Sequence, residues 1–268
     1  MGVFIMMRAL WTAGSGMAAQ QNNIDVISNN IANVNTTAYK KQRAEFQDLM
    51  YQTMSQAGAT TGADTRLPTG TQMGHGVRLS ATNSINTQGS YQSTDNEYDL
   101  AIEGEGYFQI TLPDGTIGYT RDGSFKRDSS TGRLTTSDGY PLEPEITIPE
   151  TATATTISSV GLVSVTIPGQ TATEEVGQIE LARFVNPAGL SRMGKNLYTE
   201  TEASGTPTTN AAGSDGAGTV VQKYLEMSNV QIVDEMVNMI VAQRAYETNS
   251  KAITTSDSML EIANGLKR

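Results

Sequence analysis

The sequence predicts an α+β protein: long N- and C-terminal helices paired as a coiled-coil-like axial domain, a central all-β domain, and extended connectors between them. Three observations carry that prediction. Residues from about Met7 to Phe46, and again from about Gln222 to the end, are helix-compatible with few Gly and no Pro, whereas all eight Pro fall in the middle. Both ends carry apolar residues at seven-residue spacing, the mark of a packed helical seam. The middle is rich in Gly, Thr and Ser and reads as short alternating strands separated by turn residues.

Taken in order, the first helix (1–45) places Leu10, Met17, Ile24 and Ile31 on one heptad position and Ala13, Gln20, Ile27 and Val34 on another. Its flanks are unusual. From Ala9 to Tyr39 the only charge is Asp25, and the outer positions are amides such as Gln20, Gln21, Asn22, Asn29 and Asn33. A solvated coiled coil normally carries Glu and Lys there, so neutral flanks fit a helix enclosed by other protein or facing a watery pore. Residues 46–84 form an extended connector with little core-forming pattern. The central β domain (85–202) contains a hairpin, Tyr107–Leu112 and Thr116–Arg121 joined by Pro113-Asp114-Gly115, with a strand at Tyr98–Glu103 before it. Further strands are expected at Glu145–Ile148, Val160–Ile167, Gln178–Val185 and Asn196–Glu200. A return connector (203–221) leads to the second helix (222–268), where Ile232, Met239, Tyr246, Ile253 and Leu260 are spaced seven apart. Val233, Val237, Ile240 and Val241 add a second apolar side, so this helix must touch more than one partner.

Composition excludes several functions. The 268 residues carry 18 Lys plus Arg against 28 Asp plus Glu, a net charge of −10, which lacks the basic footprint of a nucleic-acid binder. There is no Cys, so cysteine nucleophiles and zinc clusters are absent by inventory, and a Ser-His-Asp triad would have to use the one His, His75, which in Met73-Gly74-His75-Gly76 with no nucleophile elbow in the chain reads as a solvated loop histidine. Gly104-Glu105-Gly106 follows a strand but continues as strand, which makes it a tight turn and not a dinucleotide loop. Asp95-Asn96-Glu97-Tyr98-Asp99 has the oxygen density of a calcium loop without its register. The acidic pairs Asp122/Asp128 and Glu143/Glu145 imitate a glycosidase dyad, whose separation in space a sequence does not show. No catalytic, cofactor-binding or metal-binding residues are assigned, and no cofactor is expected. The apolar start Met1–Met7 is too short for a cleaved signal peptide and no segment approaches a membrane span, so no direct membrane insertion is expected.

Gln20-Gln21-Asn22-Asn23-Ile24-Asp25-Val26-Ile27-Ser28-Asn29-Asn30-Ile31-Ala32-Asn33-Val34-Asn35-Thr36-Thr37-Ala38-Tyr39-Lys40 resembles the N-terminal signature of bacterial flagellar rod and hook proteins. Ser228–Ile240 and Gln243–Ala252 are similar to the matching C-terminal signature. Phe46–Thr53, Leu67-Pro68-Thr69-Gly70, Leu112–Gly115 and Tyr119–Phe125 resemble the distal-rod branch of that axial family in particular. The resemblance implies a self-assembling structural protein that is not an enzyme. It would be exported unfolded by the flagellar type III apparatus without a cleaved signal, and polymerised into a hollow, torque-transmitting tube in the periplasm-spanning basal body. Implied partners are further copies of itself, proximal rod proteins, the hook subunit, the surrounding P and L ring proteins, the rod cap and the export apparatus. The terminal helices would form the inner wall, with Thr254, Thr255, Ser256, Ser258 and the first-helix amides lining the channel and charges only near Lys267 and Arg268. The connector is similar to a rod-specific insertion, and the leading residues allow Met6 or Met7 as the initiator. Alternatives are a proximal rod or hook subunit of the same family, or a β-domain hydrolase or carbohydrate-binding protein with helical flanks.

Overall fold

A computed structural model describes residues 2–58, 67–168 and 173–265. Lys267, Arg268 and most of the 57–64 stretch lie outside them. The described chain forms two compact units: one comprises residues up to 32, 42–83 and from 231 onward, the other residues 33–41 and 84–230.

The first unit is built on two helices, α1 (Gly2–Ala32) and α2 (Ile232–Gly265). Each is shorter than its sequence-predicted segment. After Ala32 the run Asn33-Val34-Asn35-Thr36-Thr37 offers side-chain acceptors that compete with helical bonding. Turns take over, with Ala38 at φ 56, so Val34 stands beyond α1 and outside the helical seam predicted for it. Residues 222–231 are likewise not helical, because Thr219–Gln222 and Tyr224–Glu226 are strands; α2 starts only at Ile232, with Asp234 and Glu235 in its first turn complementing the helix dipole. The connector 46–84 is also more structured than expected. Strand β1 (Gln42–Asp48) pairs with β4 (Val77–Ser84), and β2 (Tyr51–Ser55) pairs antiparallel with β3 (Thr71–Gly74). Against α1, the Ser15 Oγ accepts from the backbone N–H of Val77 at 3.3 Å, and Arg8 donates to Gln52 Oε1 at 2.9 Å.

The second unit is a β domain around β5 (Tyr91–Ser93), β6 (Leu100–Glu103), β7 (Tyr107–Thr111) and β8 (Ile117–Thr120). The predicted hairpin is present: β7 and β8 pair antiparallel across Pro113-Asp114-Gly115, with Gly115 at φ 81. They lie inside a seven-stranded sheet in the order Ser191–Gly194, Leu197–Thr199, β8, β7, Glu180–Arg183, Thr208–Ala211, with Leu142–Glu143 also on β7. A three-stranded sheet (Ala154–Ile157, Leu162–Thr166, Glu174–Gln178) packs into the same core, while residues 145–148 contribute only a single bridge, Arg133 to Thr147. The return segment 203–221 is not an extended connector, since it carries Thr208–Ala211 and Thr219–Gln222, the latter paired with β6. Strand β7 is buried on both faces. Phe108 meets Phe125 edge-on at 5.1 Å in the main cluster with Leu100, Ile102 and Leu181; Tyr107 packs with Tyr119, Phe184 and Tyr198 in a second.

Candidate assembly site

Because α1 is short of charge and rich in small and amide residues, it can approach another helix closely. A Cβ on Gly16 would lie 2.8 Å from the Asn249 side chain, and Asn30 Nδ2 donates to Glu235 Oε2 at 3.2 Å. Equal steps in opposite senses, 16 to 30 and 249 to 235, make the helices antiparallel. Asn30 is 1% exposed and also closes the turn into β1, donating to the Gln42 carbonyl at 2.8 Å and accepting from its N–H at 2.9 Å.

The residues expected at the seam differ in burial. On α1, Ile27 is 5% exposed, and Leu10, Met17, Ile24 and Ile31 are half-buried. On α2, Met239, Ile253 and Leu260 are half-buried, but Ile232 and Tyr246 remain exposed at the seam's edge. The most buried α2 positions are Glu235, Ala242 and Ser256, which with half-buried Asn249 form a second series seven apart. Apolar periodicity missed them because three of the four are polar; the only available signal was their shared spacing with the apolar series. Ser256 therefore corrects its assignment to a channel wall: at 6% exposed it lies within the helix pair, its hydroxyl donating to the Ala252 carbonyl at 2.8 Å. Thr254, Thr255 and Ser258 are exposed.

Opposite that seam runs an uncovered apolar stripe. Val233, Met236, Val237, Ile240 and Val241 follow the i, i+3, i+4, i+7, i+8 pattern of one helix face, and all are more than half exposed. This is the second apolar side that the sequence predicts for α2. On α1, Trp11 is 75% exposed beside an open apolar depression of about 380 Å³ shared with Leu10, Gly14 and Ser15.

Within the β unit, a buried ionic clamp joins the segment leaving α1 to the segment leading to α2. Glu226, whose side chain is fully buried, accepts from Lys40 Nζ at 2.5 Å, Arg121 Nε at 2.6 Å and the Gly89 N–H at 2.9 Å. Lys40 also donates to the Thr87 carbonyl, and Arg121 to the carbonyls of Gly104, Gly106 and Ile102. The Gly104-Glu105-Gly106 turn thus presents acceptors to a guanidinium, which suits two glycines at φ 107 and 146. Burial alone would raise the Glu226 carboxyl, but the charges and hydrogen bonds of Arg121 and Lys40 outweigh it and hold the carboxyl below its usual range. Burial, with the Arg121 charge, pulls the Lys40 amine below its usual range against the opposing pull of Glu226. Backbone bonds reinforce the clamp: Ala38 N–H to Glu226 O, Asn229 N–H to Tyr39 O, and Lys41 N–H to Asn229 Oδ1. Arg192 adds a further tie, stacked near Tyr39 and Tyr198 and donating to the Lys40 carbonyl at 2.8 Å.

The acidic groups that could imitate chemistry have structural partners. Glu145 pairs with Arg133, Glu143 accepts from Thr111, and Asp128 is pulled down to about 2 by hydrogen bonds from Thr131 and Ser130 in its own turn. Among the described residues no cluster of His, Cys, Asp or Glu is grouped to hold a metal, and no helix is long and apolar enough to cross a membrane.

Two paired end helices, one with an exposed apolar face, flank a β domain in the sequence, the arrangement of a structural subunit. The comparisons agree. Residues 10–40 match the family described as flagella basal body rod protein, residues 101–165 the flagellar hook protein FlgE/F/G D1 domain, and residues 221–266 the flagellar basal body rod FlgEFG protein C-terminal family. The chain is 57% identical to the flagellar basal-body rod protein FlgG of Borreliella burgdorferi, across 98% of this chain and 100% of that one. It is 52% identical to FlgG of Buchnera aphidicola subsp. Schizaphis graminum (96% and 98% covered) and 44% identical to FlgG of Bacillus subtilis (98% and 100% covered). It belongs to the FlgG family of flagellar basal-body rod proteins, the distal rod subunits, a structural family of the flagellar axial assembly.

Proposed function

We propose that this chain polymerises with copies of itself into the hollow distal rod, a drive shaft that crosses the periplasm and encloses the export channel. The observation that carries the proposal is the α2 stripe from Val233 to Val241: five apolar side chains, each more than half exposed, on the side of the helix turned away from its partner in the chain. Contiguous exposed apolar surface of this kind marks a protein contact. The antiparallel pair acts as a coiled-coil-like axial element whose seam accepts amides and small residues. Thr254, Thr255 and Ser258 then serve as uncharged lining of the channel, hydrating it without gripping an unfolded cargo of either charge. The proximal rod, hook subunit, rod cap, P and L rings and export apparatus are the partners this role calls for, and export proceeds without a cleaved signal.

Electron microscopy of the concentrated protein tests the reading. Tubes are expected from the wild-type chain and none from Ile240→Asp, which puts an unpaired carboxylate where apolar burial is required. A wild-type chain that stays monomeric at all concentrations, or Ile240→Asp tubes indistinguishable from wild type, would overturn it.

A further inference from the structure

The exposed apolar surface of the helix pair lies in separate patches that are not copies of each other. One is the α2 stripe, Val233 to Val241, beside the helix start. The other is the Trp11 depression near the free end of α1, where Met7 is also half exposed and Gly14 leaves open space, a Cβ there meeting nothing within 4 Å. In the antiparallel register set by Gly16 with Asn249, Trp11 stands level with Thr254. The stripe centre at Val237 is therefore about 25 Å further along the pair, at 1.5 Å per residue. The patches also face opposite flanks, since Trp11 lies on the side of α1 away from α2 and the stripe on the side of α2 away from α1.

Building on the self-assembly reading, we propose that the Trp11 depression of one copy receives the Val233–Val241 stripe of the next. Two unlike patches make a head-to-tail contact, which repeats without closing on a dimer. Their diagonal placement means that each repeat moves a copy both sideways and along the axis, which is the displacement that generates a helical lattice. None of the five stripe residues and none of the four residues lining the depression carries a charge. Trp11 supplies the large aromatic anchor around which interface energy concentrates. Five half-exposed aliphatic side chains offer on the order of 300 Å² by the usual transfer energy per side chain and per unit area. A stable pair needs roughly 800 Å² per partner. One such contact is too small to hold a dimer, and a copy engaged through both patches, with neighbours on either side, is held far better than one at an end.

The chain has no cysteine, so two introduced ones report without background. In Trp11→Cys/Val237→Cys the two positions of one chain are too far apart for a disulfide, which requires Cα atoms within about 7 Å. Every bridge is therefore intermolecular. Oxidation of assembled protein should give a non-reducing ladder of dimers, trimers and longer species. Either single variant should stay monomeric on the gel, and mixing the two single variants should give dimers alone. Tubes that form normally without a ladder overturn the proposal while leaving self-assembly intact, as does efficient dimerisation of Val237→Cys by itself, which would mean a like-to-like contact. If the double variant does not assemble, the mixed single variants diluted into wild-type tubes decide the matter, and the absence of dimers there counts against it. Absence of tubes from the wild type would instead remove the reading on which the proposal rests.

Discussion

At the scale of single residues the most consequential group is Glu226, a fully buried carboxylate held by Lys40, Arg121 and the Gly89 amide. Buried pairs contribute little net stability as such, but removing one partner strands the other charges, at about 3–5 kcal/mol. Glu226→Gln should destabilise the β domain by about that amount in denaturant melts. The pH dependence has a definite sign. The folded carboxyl is held below its ordinary value of 4.5, so its stabilisation is complete above that pH. It is lost as pH falls below 4.5 towards the folded value, where the unfolded chain takes up a proton that the folded one does not. Asp128, Asp114 and Glu45 are shifted the same way, so the Glu226 share is the difference between wild-type and Glu226→Gln acid titrations; identical slopes below pH 4.5 would contradict it. None of this was legible in the sequence. Lys40 and Arg121 lie 186 and 105 positions from Glu226, and each reads on its own as an ordinary surface charge.

At the scale of elements, the two sides of α2 behave differently on mutation. Ile27→Asp on α1 buries a charge between the helices, so proteases should cut the helices of the free subunit faster as well as finding no polymer. Ile240→Asp alters only the outer stripe: it should block polymerisation while leaving the cleavage rate of the free subunit unchanged. Equal cleavage rates for both variants would mean that Ile27 is not part of the pairing surface. Part of this surface is visible in the sequence, because Met239, Ile253 and Leu260 are apolar and separated by multiples of seven. The other part is Glu235, Ala242, Asn249 and Ser256, whose burial depends on Asn30 and Gly16 arriving from more than two hundred residues away. Helix ends were misread for a similar reason. Residues 33–37 offer only the weak local breakers Asn and Thr, residues 222–231 contain no Gly or Pro, and long-range bonds such as Ala38 to Glu226 and Asn229 to Tyr39 complete the stop. The β7–β8 hairpin was readable because its signal, a Pro-Asp-Gly turn between alternating runs, is local.

At the scale of the whole molecule, the two units differ in how much they can stabilise themselves. The β unit has three apolar clusters, the largest built on Leu100, Phe108, Phe125 and Leu181 at essentially zero exposure. In the helical unit the buried apolar residues are chiefly Ala13, Ala19, Ile27, Ala44 and Ala242, small side chains that remove little area from water. Hydrogen exchange of the free subunit should therefore show fast exchange in α1 and α2 and strong protection in Leu100–Glu103 and Tyr107–Thr111. On assembly, the helices should gain most of the new protection. Helices as protected as those strands before assembly would show that the pair is self-sufficient.

The antiparallel pair and the Glu226 clamp also set a mechanical order of events. Chain ends at the same extremity of a helix pair, when drawn apart, load its contacts one turn at a time, as a zipper opens, and each step resists only weakly. Further along the chain, pulling reaches residues 38–41 and 226–229, where several backbone bonds and two ion pairs share the load at once. A single molecule stretched by its termini should give a long, compliant rise at low force, then an abrupt stiff peak when the clamp ruptures, and Glu226→Gln should lower that peak without changing the initial ramp.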